Sequence, residues 1–156
     1  MPARNNCITF LVDGQLFGMP ATEVMELTRF HALTPVPLAP PTIAGLMNLR
    51  GQVVTAVDMR RRMALRPRPD DQPPMNVVLR REDVLVSLLV DQVGEVIELA
   101  DATYEPVPDT LRGVARELVR GVHKLPGRLL MLLDPDKVIA GLAVTPRRPP
   151  LATTAA

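Results

Sequence analysis

The stretch Ile43–Met63 reads IAGLMNLRGQVVTAVDMRRRM and decides the fold. It predicts a short, apolar, helix-like run that ends at the tight turn Asn48–Gly51. A strand follows over Gln52–Val57, and a second short helix begins after Asp58. Gly51 suits a turn that needs a positive φ, and the Asp58 carboxylate can accept from the free N–H groups of a first helical turn. The stretch therefore predicts a unit made of a turn, a strand and a short helix.

The same pattern occurs a second time at Gly121–Ile139, GVHKLPGRLLMLLDPDKVI. The two copies lie 76 positions apart, with no gap between the first glycine and the aspartate. Before each copy lies a similar five-residue segment, Glu23–Leu27 in one half and Glu95–Leu99 in the other. Self-similarity at a fixed spacing indicates an internal duplication. We therefore predict a mainly β fold of two small barrels, formed by two similar units.

The unit boundaries follow from composition. We expect the first unit at about residues 7–65, an exposed proline-rich linker at 66–74 (RPRPDDQPP), the second unit at about 75–142 and a disordered tail at 143–156. Asp13-Gly14 predicts a hairpin turn between strands at Ile8–Val12 and Gln15–Gly18. For Ala21–Leu27, periodicity leaves a helical turn and a strand open.

Composition bounds the class of protein. The chain has 156 residues and one cysteine. Its net charge is +1, so no strong overall electrostatic field attracts nucleic acid or an anionic membrane. A single cysteine excludes an internal disulfide and fits a reducing compartment. The N-terminus lacks a hydrophobic signal core, and no apolar run approaches the ~18 residues that span a membrane. We expect a soluble cytoplasmic protein.

No residue pattern indicates catalysis. His31 and His123 have no partner at a metal-ligand spacing. Asp58 and Asp134 could be proposed as paired carboxylates, but each is explained as a helix cap. The phosphate-loop pattern is absent. We therefore expect neither an enzyme nor a bound cofactor or metal.

The arginines give the remaining signals. Arg60–Arg62 lacks interleaved aromatic residues and is interpreted as a solvated helix face rather than a nucleic-acid site. Arg50 lies at the tip of the first turn, with no acidic neighbour in sequence, where the second copy has Pro126. If both copies share one backbone, the turn does not need an arginine. Arg50 is then retained for contact with a partner, or for a local interaction peculiar to the first unit. Leu46 and Leu49 beside it are predicted in the core.

A family resemblance follows from these residues. GLMNLRG at Gly45–Gly51, followed by VVTAVD up to Asp58, resembles the central signature of the chemotaxis coupling protein CheW. The hairpin, the Glu23–Glu26 segment, the apolar strand near Val84 and the second copy match in order, over roughly residues 7–142. The resemblance implies two five-stranded SH3-like β-barrels with short helices. It further implies a stand-alone, non-enzymatic adaptor that links chemoreceptor tips to a CheA-type histidine kinase in membrane-attached arrays.

The resemblance also implies which residues meet partners. Glu26 and Val24 match the segment that docks receptor and kinase, and Arg50 matches the arginine tied to coupling. Leu27 and Val96 lie near a groove between the barrels. The predicted partner surface comprises Val24, Glu26, Leu27, Gly45, Asn48, Arg50, Gly51 and Val96. The partners would be the kinase regulatory domain and the receptor tip, without nucleic acid or membrane insertion. Alternatives are a coupler for a non-flagellar pathway such as pilus motility or surface sensing, and a small nucleic-acid-binding barrel.

Overall fold

The computed structural model describes residues 6–100 and 103–142. Its fold is mainly β, as expected. Within those ranges the strands are β1 Asn6–Val12, β2 Gln15–Pro20, β3 Val24–Thr28, β4 Ile43–Leu49, β5 Gln52–Asp58, β6 Met75–Arg81, β7 Val84–Val90, β8 Gln92–Glu98, β9 Tyr104–Glu105, β10 Val119–Leu125 and β11 Arg128–Leu133. The helices are α1 Met59–Arg62, α2 Val114–Leu118 and α3 Pro135–Ile139, with a 3-10 turn at Ala21–Glu23. Across the described ranges no helix has both the length and the apolar character needed to span a bilayer. The predicted tail lies outside the described residues.

The strands form two sheets, and each sheet combines both halves of the sequence. Sheet 1 has the order β8-β1-β2-β11-β10-β9, and sheet 2 has the order β3-β6-β7-β5-β4. The β1–β2 hairpin of the first half therefore completes the sheet of the second half, and the β6–β7 hairpin does the reverse. The boundaries 7–65 and 75–142 consequently do not coincide with the sheets. Periodicity identifies strands but not their partners, and here the parallel pairs β2–β11 and β5–β7 decide the partners.

One large core joins the two sheets. It contains Phe10 and Phe17 from sheet 1 and Val77 and Leu88 from sheet 2, all at most 1% exposed. Two smaller clusters lie on the other faces, one around Met47 in sheet 2 and one around the sheet 1 strands β1 and β11. Burial on both faces explains why β7 is aliphatic at every position except Ser87. Since they share a core, the two sheets form one folded unit.

Several local predictions can now be compared with the structure. The run before the first turn is the strand β4, not helix-like, because residues 43–49 pair with β5 along their length. The undecided segment after Pro20 is a 3-10 turn followed by the strand β3. The Asp58 cap is confirmed, since its Oδ1 accepts from the amides of Arg60 and Arg61 at 3.0 and 3.3 Å. The Asp134 cap is confirmed in the same way, at 3.1 Å from the amide of Asp136.

The interpretation of the arginine run as a solvated face is wrong for Arg60. Its side chain is 7% exposed, and it donates from Nη2 and Nε to the Asp91 carboxylate at 2.7 and 3.0 Å. Arg68, from the predicted exposed linker, is 10% exposed and donates to the same carboxylate at 3.0 Å. Asp13 lies 3.7 Å from Arg60 and pairs with Arg66 at 2.9 Å. These five residues are called the Arg60 cluster.

The charges of the Arg60 cluster shift the pKa of Asp91. Burial is the largest single effect and raises that pKa, but hydrogen bonds from Arg60, the Asp13 amide and Arg68 outweigh burial. The pKa of Asp91 is therefore lower than its ordinary value, so the carboxylate stays ionised at neutral pH. The pKa of Arg60 is raised, chiefly by its hydrogen bond to Asp91.

The lone cysteine is expected to be unreactive in the folded protein. Cys7 is 0% exposed, and burial raises the pKa of its thiol to about 11. Because the thiolate is the reacting species, iodoacetamide at pH 8 should label the native protein at least ~100-fold more slowly than the protein in denaturant. Mass spectrometry of timed samples measures both rates. Native labelling within tenfold of the denatured rate would contradict this burial.

Candidate functional site

The tip of the β4–β5 hairpin is a two-residue turn with an unusual first residue. Leu49 pairs with Gln52, so the loop consists of Arg50 and Gly51, whose φ angles are +52° and +83°. Two positive φ values define a type I′ turn, in which asparagine or glycine is preferred. The Asn48 Oδ1 accepts from the Gly51 amide at 2.8 Å and fixes the turn. An arginine at a left-handed position costs about 1 kcal/mol, so the turn's own stability does not explain Arg50.

Arg50 is paired with Glu26. Its Nη1 and Nη2 donate to the two carboxylate oxygens of Glu26 at 2.5 and 2.8 Å, a bidentate pair. The Arg50 side chain is 72% exposed and that of Glu26 is 19% exposed. Sequence analysis correctly found no acidic neighbour along the chain, because the partner lies 24 positions away. Glu26 belongs to the edge strand β3 and Arg50 to the tip after the opposite edge strand β4, so sheet 2 curves until its two edges approach.

The premise that both copies of the turn share one backbone is wrong at this residue. The second loop, between Leu125 and Arg128, also has two residues, Pro126 and Gly127. Proline fixes φ near −65°, and Gly127 has φ +77°, as a type II turn requires. The first copy thus keeps a costlier turn, and its arginine makes a local interaction peculiar to the first unit, the pair with Glu26.

Gly45 acts through the backbone. It is buried with φ +151°, and a Cβ there would lie 2.8 Å from the Thr34 carbonyl oxygen. The space that glycine leaves lets Thr34 and Leu46 exchange hydrogen bonds of 2.7 and 2.8 Å. These bonds hold the proline-rich connector before β4 against that strand. Any part that Gly45 has in partner binding is therefore a matter of positioning.

The other predicted residues divide between the sheets. On β3, Val24 packs against the shared core, whereas Leu27 is 37% exposed. Met25 is 44% exposed and was missed by sequence analysis. It lies where the register of β3 against β6 shifts. Val96 is 57% exposed, but it lies on β8 at the edge of sheet 1. The structure thus brings Glu26 and Arg50 together and leaves Val96 on the other sheet.

The groups at this site suit the recognition of a partner. Arg50 presents a fixed guanidinium at the surface, and the edge strand next to Glu26 exposes two apolar side chains, Met25 and Leu27. Within the part of the chain that the structure describes, no group of three His, Cys, Asp or Glu side chains could hold a metal ion.

The chain is similar to known proteins over most of its length. A family model described as a CheW-like domain matches residues 6–143. "Chemotaxis protein CheW" of Rhizobium meliloti (strain 1021) is 31% identical over 131 residues, which cover 84% of each chain. "Chemotaxis protein CheW" of Bacillus subtilis (strain 168) is 26% identical over 132 residues, which cover 85% of each chain. The fold resembles the crystal structure of the scaffolding protein TtCheW from Thermoanaerobacter tengcongensis, with a TM-score of 0.76 and 23% identity, over 85% of this chain and 90% of that one.

Proposed function

The chain belongs to the CheW-like domain family, and from this premise we propose that it is a non-enzymatic adaptor. It couples the cytoplasmic tips of chemoreceptors to a CheA-type histidine kinase within membrane-attached signalling arrays. One observation carries the proposal at the level of residues: Arg50 is held at the surface by Glu26 at the tip of a costly turn. Arginine is favoured at protein interfaces because its planar fork makes paired hydrogen bonds.

The receptor contact is assigned to the Arg50 side of sheet 2. A receptor tip is a helical hairpin, and aliphatic side chains of such a hairpin can bury against an apolar surface, as in helix-in-groove recognition. Met25 and Leu27 supply exposed apolar area on β3, and Arg50 supplies a charge that a receptor carboxylate can pair with. Since Glu26 already orients the guanidinium, little side-chain entropy is lost on binding.

The kinase contact is assigned to a strand edge. In the described sheets, β3 and β8 each have one paired neighbour and lie at an edge. An exposed edge can pair with a strand of a partner through main-chain hydrogen bonds. Such an adaptor would transmit a receptor's state by holding the kinase in one of two arrangements, which requires different contacts in the two states.

The first experiment is a calorimetric titration of the protein with the isolated regulatory domain of a CheA-type kinase. One-to-one saturable binding that DNA and RNA do not compete for supports the proposal. The kinase assay with receptor, kinase and this protein then measures coupling. An absence of binding to every regulatory domain encoded in the same genome would contradict the adaptor function.

We expect Arg50→Glu to weaken receptor coupling at least ~10-fold without unfolding the protein. The substitution reverses the presented charge and places it against Glu26. Because an exposed pair stabilises by only about 0.2–1 kcal/mol, the melting temperature should fall by less than ~4 °C. Receptor-dependent kinase activity and a thermal scan give the two measurements.

Two variants make that result specific. Arg112→Glu makes the same charge change at another exposed arginine and should leave coupling intact. Glu26→Gln breaks the ion pair but keeps the Arg50 charge, so it should reduce coupling less than Arg50→Glu does. Native stability together with unchanged kinase control in Arg50→Glu would remove the role assigned to Arg50.

A further inference from the structure

The duplication relates the two sheets strand by strand. Sheet 2 runs β3-β6-β7-β5-β4, and sheet 1 contains β8-β1-β2-β11-β10 in the corresponding order. The helix α1 follows β5, and α3 follows β11 at the equivalent place. Arg60 and Asp136, 76 positions apart, therefore occupy equivalent positions in the two helices. Arg60 is the centre of one ion cluster that joins the sheets, and Asp136 is a member of a second.

The first of these is the Arg60 cluster. Arg60 belongs to α1 on sheet 2, Asp91 follows β7, and Asp13 lies in the β1–β2 turn of sheet 1. Asp91 accepts from the Asp13 backbone amide at 2.7 Å as well as from Arg60. The side chains of Arg60 and Asp91 are 7% and 12% exposed. This contact fixes sheet 2 to the turn of sheet 1 in a poorly solvated place.

The second cluster also joins the two sheets, and its helix residue carries the opposite charge to Arg60. Asp136 belongs to α3 on sheet 1, Arg81 ends β6 at the β6–β7 turn of sheet 2, and Glu23 follows β2. Arg81 donates from Nη2 and Nε to the Asp136 Oδ1 at 2.6 and 3.0 Å, and it also pairs with Glu23. Here the helix residue is acidic and the residue that ends β6 is basic. These three residues are called the Arg81 cluster.

The two clusters differ in exposure. In the Arg81 cluster, Arg81 is 23%, Glu23 28% and Asp136 69% exposed. Exposed ion pairs are weak and screened by salt, whereas a buried pair resists separation because a lone buried charge is costly. Arg62 also holds α3, by donating to the Val138 and Lys137 carbonyls at 2.7 and 3.0 Å. At the start of the helix, Asp134 caps the Asp136 amide, and the Asp136 side chain is held to sheet 2 by Arg81.

We propose that the Arg81 cluster is a releasable joint between the two sheets, while the Arg60 cluster is their fixed joint. Opening of the Arg81 cluster frees the first turn of α3, the 3-10 turn at Ala21–Glu23 and the β6–β7 turn, without separating the sheets at Asp91. The shared core still joins the sheets, so this opening is confined to the edge that contains Arg81. The proposal concerns the isolated chain and does not depend on the proposed partners.

Hydrogen exchange of the full-length protein tests the proposal. Arg81→Gln should speed amide exchange about fivefold in peptides that cover the first turn of α3, the 3-10 turn and the β6–β7 turn. That factor corresponds to losing an exposed ion pair near the upper end of the usual range. Peptides around Asp13 and Asp91 should exchange at the native rate. Arg80→Gln is the matched control, since Arg80 is exposed and makes no ion pair within the described residues.

Salt and a second variant give independent outcomes. Salt at 1 M should speed exchange of the native protein at the same three places and add little to Arg81→Gln. Asp136→Asn, at the most exposed member, should produce the same pattern with a smaller factor because Glu23 still holds Arg81. Equal exchange in Arg81→Gln and Arg80→Gln would overturn the proposal. Equal acceleration around Asp91 would also overturn it, since that pattern means that the whole protein has loosened.

Discussion

Asp91→Asn should lower the free energy of unfolding by about 3 kcal/mol, since it leaves a buried arginine without its main partner. Arg60 is 7% exposed and Arg68 is 10% exposed, and both donate to this carboxylate. Asp13 remains 3.7 Å from Arg60, so the loss falls near the lower end of the range for a broken buried pair. Denaturant titrations of the two proteins give the difference, with a melting temperature about 10 °C lower as a second indicator.

The pH dependence provides a control for this result. The pKa of Asp91 is depressed in the folded protein, so its contribution is present above the unfolded pKa of about 4 and is lost as the pH falls through the folded pKa. The difference in unfolding free energy between wild type and Asp91→Asn should therefore become smaller below pH ~4. Asp71→Asn, which removes the same charge from an exposed residue, should change the free energy by less than ~0.5 kcal/mol. A loss below ~1 kcal/mol in Asp91→Asn would mean that water solvates the cluster.

The Arg60 cluster shows where prediction from sequence ends. Strands such as β1, β2 and β5 could be predicted from local patterns, although the run that forms β4 was interpreted as helix-like. The caps could be predicted because Asp58 and Asp134 precede short helices. The burial of Arg60 could not, because three adjacent arginines have no periodicity and the compensating Asp91 lies 31 positions away. The pairing of β2 with β11 is likewise long-range. Which strands form each sheet therefore depends on long-range contacts, which local sequence patterns do not reveal.

Two residues of the candidate site were named from the sequence, but their geometry was not predicted. Arg50 was singled out by comparing the two copies of the turn and Glu26 through the family resemblance, yet nothing in the sequence indicated that they pair. Their contact requires the two edges of sheet 2 to approach, which is a property of the curved sheet rather than of either strand. Met25 was missed for a local reason, since a short segment leaves a helical turn and a strand equally open.

Gly45→Ala should destabilise the protein by about 3 kcal/mol and weaken coupling as well. A methyl group at φ +151° is strained, and the Cβ would lie 2.8 Å from the Thr34 carbonyl oxygen, which is backbone and cannot turn away. Backbone strain of this kind costs about 1–3 kcal/mol, and overpacking costs a similar amount. The hydrogen bonds between Thr34 and Leu46 would lengthen, and β4 would shift. Arg50, in the turn after β4, would then lose its bidentate geometry with Glu26.

Gly127→Ala separates strain from collision. Gly127 has φ +77° but no atom within 4 Å of an added Cβ, so alanine there should cost only the left-handed backbone, about 1 kcal/mol. Denaturant titrations compare the two alanine variants, and the receptor-dependent kinase assay is then run below their melting temperatures. If Gly45→Ala and Gly127→Ala lose the same free energy of unfolding, the close approach to Thr34 contributes nothing to the destabilisation. If Gly45→Ala is less stable but retains full receptor-dependent kinase control, then β4 does not position Arg50 for coupling.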